Sequence, residues 1–363
     1  MSVLSTSAKE LARQIKGKTV MSGIQPTGVF HLGNILGAVN AWRQLAEASV
    51  DAKEVVYMIA DLHSLTVAKP AEELRELRWQ ALASLLACGL DPTRCNLYFQ
   101  SQVDSHAQMH WLLSSVSNMG YLSRMTQWKS KSGLDSATTV SQLARDEVPA
   151  NLGDVNLALF SYPVLQAADV LVNNAEIVPV GEDQAQHLEL TRHVANSFNF
   201  RYDFKFKTPQ TVLTPFKKVL SLRNPLKKMS KSDSDQNSCI YITDDPAVVS
   251  RKLRRAVTDS LQGPITQYDP VNRPAVSNLV LIASGLLHKD PQAFLDEYRP
   301  TDHRQLKDTV AEVVSSVTLP INQEYQRLVK EKPYLEEIAK NGALKAHSRC
   351  NEVYRKAANS MGL

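Results

Sequence analysis

The chain has 363 residues and a mass of 40.3 kDa, with 43% hydrophobic and 21% charged side chains, a globular composition with room for two domains of roughly 100–200 residues each. No run of about 18 apolar residues occurs, which excludes a membrane-spanning helix. Cys88, Cys95, Cys239 and Cys350 form no CxxC pair and the histidines form no HExxH, so reduced, buried thiols are expected rather than a zinc site or a disulfide scaffold.

The net charge of +4 is unevenly spread. Residues 1–200 carry 15 Lys/Arg against 19 Asp/Glu, and residues 201–363 carry 26 against 18. The basic excess of the second half fits a polyanionic partner and, equally, a solvated basic surface. In the first twenty residues Lys9, Arg13, Lys16 and Lys18 outweigh Glu10, without the apolar core of a secretory signal. Residues 1–19 therefore read as the remnant of a mitochondrial presequence or as a plain N-terminal helix.

Residues 20–24 form a short apolar strand that ends in Gln25-Pro26-Thr27-Gly28, a turn sequence. A helix opens at Gly33-Asn34 with Ile35, Leu36, Val39, Trp42 and Leu45 on one face. Residues 54–60 are a buried strand whose polar ending, Asp61 to Ser64, lies where a parallel sheet presents side chains to a ligand. A helix over 72–90, a strand over 96–100 and helices over 108–116 and 154–172 follow. The polar stretch 130–151 lacks periodicity and reads as an insertion or loop. A strand over 176–180 and a helix over 184–198 complete an alternating pattern. It predicts an α/β catalytic domain over 20–244, a doubly wound parallel sheet with its site on the carboxyl edge. Beyond about residue 245 the strand signals fade. Helices over 246–257, 276–287, 291–298, 304–317 and a final run over 321–361 predict an all-α domain from 245 to 363.

Two phosphate-binding signatures are excluded. Gly17-Lys18-Thr19 resembles a Walker tail, but Ala12 stands where its glycine is required, and no GxGxxG occurs. The turn from Gln25 to Asn34 offers another route, since a glycine-rich turn that opens a helix places N–H groups beside a phosphate. Gly33 allows close approach, and His31 either donates to a phosphate oxygen or is an ordinary loop residue. Lys227-Lys228-Met229-Ser230-Lys231-Ser232-Asp233 shifts the balance toward the first. Two lysines three apart act as point charges on a triphosphate, whereas an ordinary charge run is a solvated face. The five letters KMSKS occur by chance in on the order of one chain in ten thousand of this length, so the run is read as a motif.

With HLGN (His31–Asn34) and KMSKS, the sequence resembles the class I aminoacyl-tRNA synthetases, whose Rossmann-like fold carries HIGH and KMSKS signatures. SGIQPTG (22–28), MTQWK (125–129), SYPVLQAAD (161–169), VPVGEDQ (178–184) and AVTD (256–259) resemble, in order, segments of tryptophanyl-tRNA synthetases, most of all mitochondrial enzymes of fungi. The resemblance runs from about residue 20 to the C-terminus, nearly the whole chain.

It implies activation of L-tryptophan with ATP to tryptophanyl-adenylate and pyrophosphate, then transfer to the 3′ end of tRNA(Trp), by a homodimer. It implies that His31 lines the ATP site with Gln25, Pro26, Thr27, Gly33 and Asn34. Gly181, Glu182 and Asp183 hold the ribose side, with backbone near Val219. Lys228 and Lys231 bind the β- and γ-phosphates with Mg²⁺, in a loop completed by Met229, Ser230 and Ser232, and Lys129 approaches from the other side. Asp169 accepts the indole N–H, its alternative being a local pairing inside its helix. Tyr162, Gln184 and Gln25 fix the amino and carboxylate groups, His63 and Val180 wall the pocket, and Met21 replaces a Phe common among relatives. Gln166 stands where many bacterial relatives have Met. No general base is implied, and no metal ligands.

The helical domain is expected to meet the anticodon stem, with Arg251, Lys252, Arg254 and Arg255 as phosphate contacts. The branch resemblance and the basic start point to the mitochondrial matrix, with the cytoplasm as alternative. The competing readings are a tyrosyl-tRNA synthetase, a small nucleotidyltransferase and a synthetase-derived RNA-binding protein.

Overall fold

The computed structural model describes residues 13–48, 52–125, 156–181, 184–213, 218–231 and 233–363. The basic start up to residue 12 and the polar stretch 130–151 lie outside the described residues. Among the described residues five strands form one parallel sheet: β1 (Thr19–Ile24), β2 (Glu54–Ile59), β3 (Asn96–Phe99), β4 (Ile177–Val180) and β5 (Gln210–Leu213), in the order β3-β2-β1-β4-β5. Strand order reverses between β1 and β4, the place where a doubly wound sheet opens a ligand crevice at its carboxyl edge. β5 has no counterpart among the sequence expectations. It is four residues long, starts with a glutamine, and exists because β4 pairs with it from Ile177↔Gln210 to Val180↔Leu213.

Both faces of the sheet are covered, and alternate residues of each strand enter separate cores. Val20, Val55, Tyr57, Ile59, Leu97 and Phe99 belong to one, Met21, Val56, Met58 and Tyr98 to the other. The first core takes α1 (residues 32–47) and α2 (Ala71–Ala87). The second takes α3 (Ser105–Ser114), α5 (Leu157–Val172) and α6 (Ala185–Tyr202), with the short α4 (Met119–Leu122) beside α5. Within α1, residues Ile35–Val39 are π-helical between α-helical Leu32–Asn34 and Asn40–Glu47. Ile35, Leu36, Val39, Trp42 and Leu45 are buried along it, as their spacing predicts. All four cysteines are free and buried.

Among the described residues past 245 there are only helices: α7 (Pro246–Arg254), α8 (Pro274–Leu286), α9 (Pro291–Tyr298), α10 (His303–Leu328) and α11 (Lys332–Ser360). Four of the five carry proline in the first turn, where the missing N–H has no partner to lose. That corrects the expected boundaries of the last two. The single run over 321–361 is two helices, because α10 continues through Pro320 to Leu328 and Pro333 starts a new helix.

α11 returns to the sheet and crosses its β3 edge. Leu335, Ile338 and Ala339 pack into the first core, and Ala343, Ala346 and Cys350 into the second. Gly342 lies at the crossing, where a Cβ would stand 1.8 Å from the Leu97 carbonyl oxygen. A helix laid this closely along β3 covers an edge that is otherwise open to pairing.

Candidate active site

The turn after β1 is organised by its histidine. His31 caps α1: its Nδ1 accepts from the Gly33 N–H at 3.0 Å, and its own N–H donates to Asn34 Oδ1 at 3.1 Å. A Cβ on Gly33 would sit 2.7 Å from the imidazole Cε1, so the glycine makes room first for its own cap. Because Nδ1 accepts, the ring proton is assigned to Nε2. Burial, then the charges of Lys231 and Lys228, push His31 down to about 3. The ring is therefore a neutral donor at physiological pH. Phe30, His31 and Leu32 are pinned from outside by a short antiparallel pairing in which Leu32 N–H donates to Ile240 O and Ile242 N–H to Phe30 O, both at 3.0 Å.

The lysine loop meets this turn directly. Lys231 Nζ donates to Thr27 O at 3.0 Å, Thr27 Oγ1 at 3.1 Å and Gly28 O at 3.1 Å, joining segments 204 positions apart. Burial draws its ammonium down to about 8. Met229 is buried, its N–H donating to Val219 O at 2.9 Å, and Ser230 O accepts from Cys239 Sγ at 3.0 Å. Lys228 is exposed. The geometry thus brings together Thr27, His31, Gly33, Asn34, Val219, Met229 and Lys231. Lys129, Glu182, Asp183 and Ser232 lie outside the described residues.

Asp169 sits on α5 facing the ends of β2 and β3. Its Oδ2 is 2.8 Å from His63 Nε2, and its Oδ1 is 2.7 Å from His106 Nδ1 and accepts from Gln100 Nε2 at 2.7 Å. The carboxylate is 2% exposed. Burial pushes it up, but the hydrogen bonds from His106 and His63 outweigh that and hold it below the usual carboxylate range. Its partners come from three other segments, so a pairing local to the helix does not describe it.

Behind it runs a polar chain. His106 Nε2 is 3.0 Å from Tyr98 Oη, Asn173 Nδ2 donates to Tyr98 Oη at 3.2 Å and to Asp169 O at 2.8 Å, and Arg349 of α11 donates to Asn173 Oδ1 at 2.6 Å. Arg349 also pairs with Glu54 at the start of β2.

Tyr162, one helical turn before Gln166, meets His187 Nε2 at 3.2 Å; His187 Nδ1 is 3.0 Å from Gln184 Oε1, which also accepts from Gln166 Nε2 at 3.3 Å. The Tyr162 ring stands edge-on to His63 with centroids 6.4 Å apart. Met21 on β1 shares a core with Tyr162, and Val180 packs against that core. Gly181 O accepts from the Gln184 N–H at 3.0 Å. The sequence reading missed Gln100, His106, Asn173 and His187. Gln100 follows the end of β3, a position the strand-end rule can flag; His106 carries no local signal.

One expected contact is corrected. Lys252 is 6% exposed and donates to Asp244 Oδ2 at 2.6 Å, which also accepts the Tyr241 N–H. It points inward and braces the segment paired with His31, whereas Arg251, Arg254 and Arg255 are exposed.

The lysine loop docked on the histidine-capped turn after β1 and the buried carboxylate at the ends of β2 and β3 both lie at the carboxyl edge of the parallel sheet, where doubly wound folds bind their ligands. The chain belongs to the family tRNA synthetases class I (W and Y), which matches residues 16–318. It is 45% identical over 334 residues to the mitochondrial tryptophan–tRNA ligase of Saccharomyces cerevisiae, covering 91% of this chain and 87% of that one. To the mitochondrial tryptophan–tRNA ligase of Schizosaccharomyces pombe it is 39% identical over 347 residues, 95% of each. The crystal structure of tryptophanyl-tRNA synthetase from Campylobacter jejuni complexed with ADP and tryptophan matches with a TM-score of 0.74 and 28% identity, covering 95% of this chain and 100% of that one.

Proposed function

We infer that this chain is a mitochondrial tryptophan–tRNA ligase. The observation that carries the reading is the buried Asp169 carboxylate, held anionic below the crevice. Tryptophan differs from phenylalanine and tyrosine in its indole N–H donor, and Asp169, with three protein donors on about four acceptor sites of a carboxylate, keeps one on Oδ2 for it. Tyr162 and Gln184, joined through His187, lie at the amino and carboxylate end with Gln25; His63, Val180 and Met21 border the ring.

In the first step a tryptophan carboxylate oxygen attacks the α-phosphorus of ATP in line, the bond to the β-phosphate bridging oxygen breaks, and pyrophosphate leaves. Positioning and charge neutralisation are the protein's contribution. His31 donates through neutral Nε2–H, and Asn34 holds the backbone of that histidine. Lys228 and Lys231 follow the departing phosphates, and Mg²⁺ enters bound to the nucleotide. Lys231 exchanges its bonds to Thr27 and Gly28 for phosphate oxygens. Gly181, Glu182 and Asp183 take the ribose side, and Lys129 approaches the phosphates from opposite. In the second step the terminal ribose hydroxyl of tRNA(Trp) attacks the acyl carbon and AMP leaves.

We assign residues 20–244 to catalysis and the helices from 245 to tRNA binding, with the exposed Arg251, Arg254 and Arg255 as phosphate contacts. The assembly is a homodimer, a reading supported by exposed Leu65, Val67, Trp111, Met119 and Leu157 on adjoining elements. The test is amino-acid-dependent ATP–pyrophosphate exchange with tryptophan and tyrosine side by side. Exchange with tryptophan alone supports the assignment. Exchange with tyrosine overturns the Asp169 argument and keeps the fold, and exchange with neither overturns the enzyme.

A further inference from the structure

The strand that carries the lysine loop is held from behind by one side chain. Residues 219–221 run antiparallel to 227–229: Met229 N–H donates to Val219 O and Ser221 N–H to Lys227 O, both at 2.9 Å, with Leu220 opposite Lys228. In that register Leu220 is a non-hydrogen-bonded position, so its own N–H and C=O point away from the lysine strand. Asn278 of α8 takes both. Leu220 N–H donates to Asn278 Oδ1 at 2.8 Å, and Asn278 Nδ2 donates to Leu220 O at 3.0 Å. The amide acts as a one-residue third strand.

Its surroundings are apolar. Asn278 is 4% exposed, and its helix neighbours Val276, Leu279 and Val280 share a core with Ile35, Leu36, Val219 and Met229. Apolar side chains alone can dock α8, and a buried amide among them is costly unless its groups are matched. What the amide adds is register. A one-residue slip would present Val219 or Ser221, whose bonding groups face the other way. α8 also touches the π-helical turn behind His31, so one helix borders both phosphate-side segments.

We propose that Asn278 is a positioning residue for adenylate formation, acting through Leu220 and the lysine strand to set Lys231 against the turn of Thr27 and Gly28. The proposal rests on the synthetase reading above. It ties the placement of the helical part to the phosphate-binding loop.

The experiment compares ATP–pyrophosphate exchange for wild type, Asn278→Leu, Lys231→Ala and the double variant, with tryptophan affinity from fluorescence titration. Asn278→Leu should lower kcat about 100-fold and raise KM for ATP, the scale of loss expected from a displacement of about 1 Å. Tryptophan affinity should stay within about twofold, and in the Lys231→Ala background the same change should cost under about threefold, because both act on one group. Wild-type exchange in Asn278→Leu, an equal loss in both backgrounds, or a parallel fall in tryptophan affinity overturns the proposal. Should Asn278→Leu not fold, Asn278→Ser serves in the same cycle. Hydrogen exchange on the wild-type protein gives a readout apart from catalysis: the Leu220 amide should exchange only on global unfolding, and exchange at loop rates overturns the anchor. Wild-type protein that fails to exchange with tryptophan defeats the synthetase reading instead.

Discussion

At the scale of the residue, Asp169 and His31 are both controlled by what surrounds them. Three donors converge on Asp169, so an amide in its place must turn its own N–H₂ toward one of them. Asp169→Asn should therefore raise KM for tryptophan by about 10² or more and narrow the preference over tyrosine, read from pyrophosphate exchange. An unchanged KM would remove Asp169 from the pocket. His31 makes a pH prediction. Its folded value of about 3 lies below its ordinary 6.5, so below pH 6.5 the unfolded chain takes up a proton that the folded one refuses. Stability should fall as pH drops through that window, by on the order of 2 kcal/mol at pH 5 from this group. In His31→Asn, which keeps an acceptor for the Gly33 N–H, the gap between urea-unfolding free energies at pH 7 and pH 5 should shrink by that amount. The residue types and motifs were legible in the sequence. The partners of Asp169 were not, because Gln100, His106 and His63 come from segments that only the sheet brings together.

Elements show where local signals suffice and where they fail. The strand-helix alternation and the apolar face of α1 follow from periodicity, and every residue predicted on that face is buried. The π-helical turn within α1 and the four-residue β5 carry no such signal, since each depends on neighbours distant in the chain. α11 is the sharpest case. Its sequence predicts a helix, but the need for glycine at 342 appears only where the helix crosses Leu97. Gly342→Ala should cost about 3 kcal/mol or more, since backbone rather than a mobile side chain stands in the way. Denaturant unfolding checks this, and a loss under about 0.5 kcal/mol would mean that α11 does not lie against β3 so closely.

For the molecule as a whole, the basic excess of the second half divides by burial. Arg255 is exposed, so Arg255→Ala should weaken tRNA binding and reduce the slope of log affinity against log salt by about one. Lys252→Met should leave that slope alone. It strands Asp244 without its partner and should cost about 3 kcal/mol of stability. A salt titration with each variant separates the two, and equal slope changes would contradict the inward placement of Lys252. The last helix adds a connection of the same scale, as Arg349 joins α11 to Glu54 and, through Asn173 and Tyr98, to the shell of Asp169.

The sequence by itself determined the class of fold, the two phosphate-side motifs and the residues at strand ends, because these rest on period, turn chemistry and short contiguous spacing. Only the tertiary structure decided that Asn34 serves His31, that Lys231 rests on Thr27, that Lys252 turns inward, and that Asp169 stays charged in a buried place. The contacts of Lys231 and Asp169 join segments far apart in the chain, and those of Asn34 and Lys252, though local, depend like them on distance, burial and the alignment of donors, none of which a linear pattern contains.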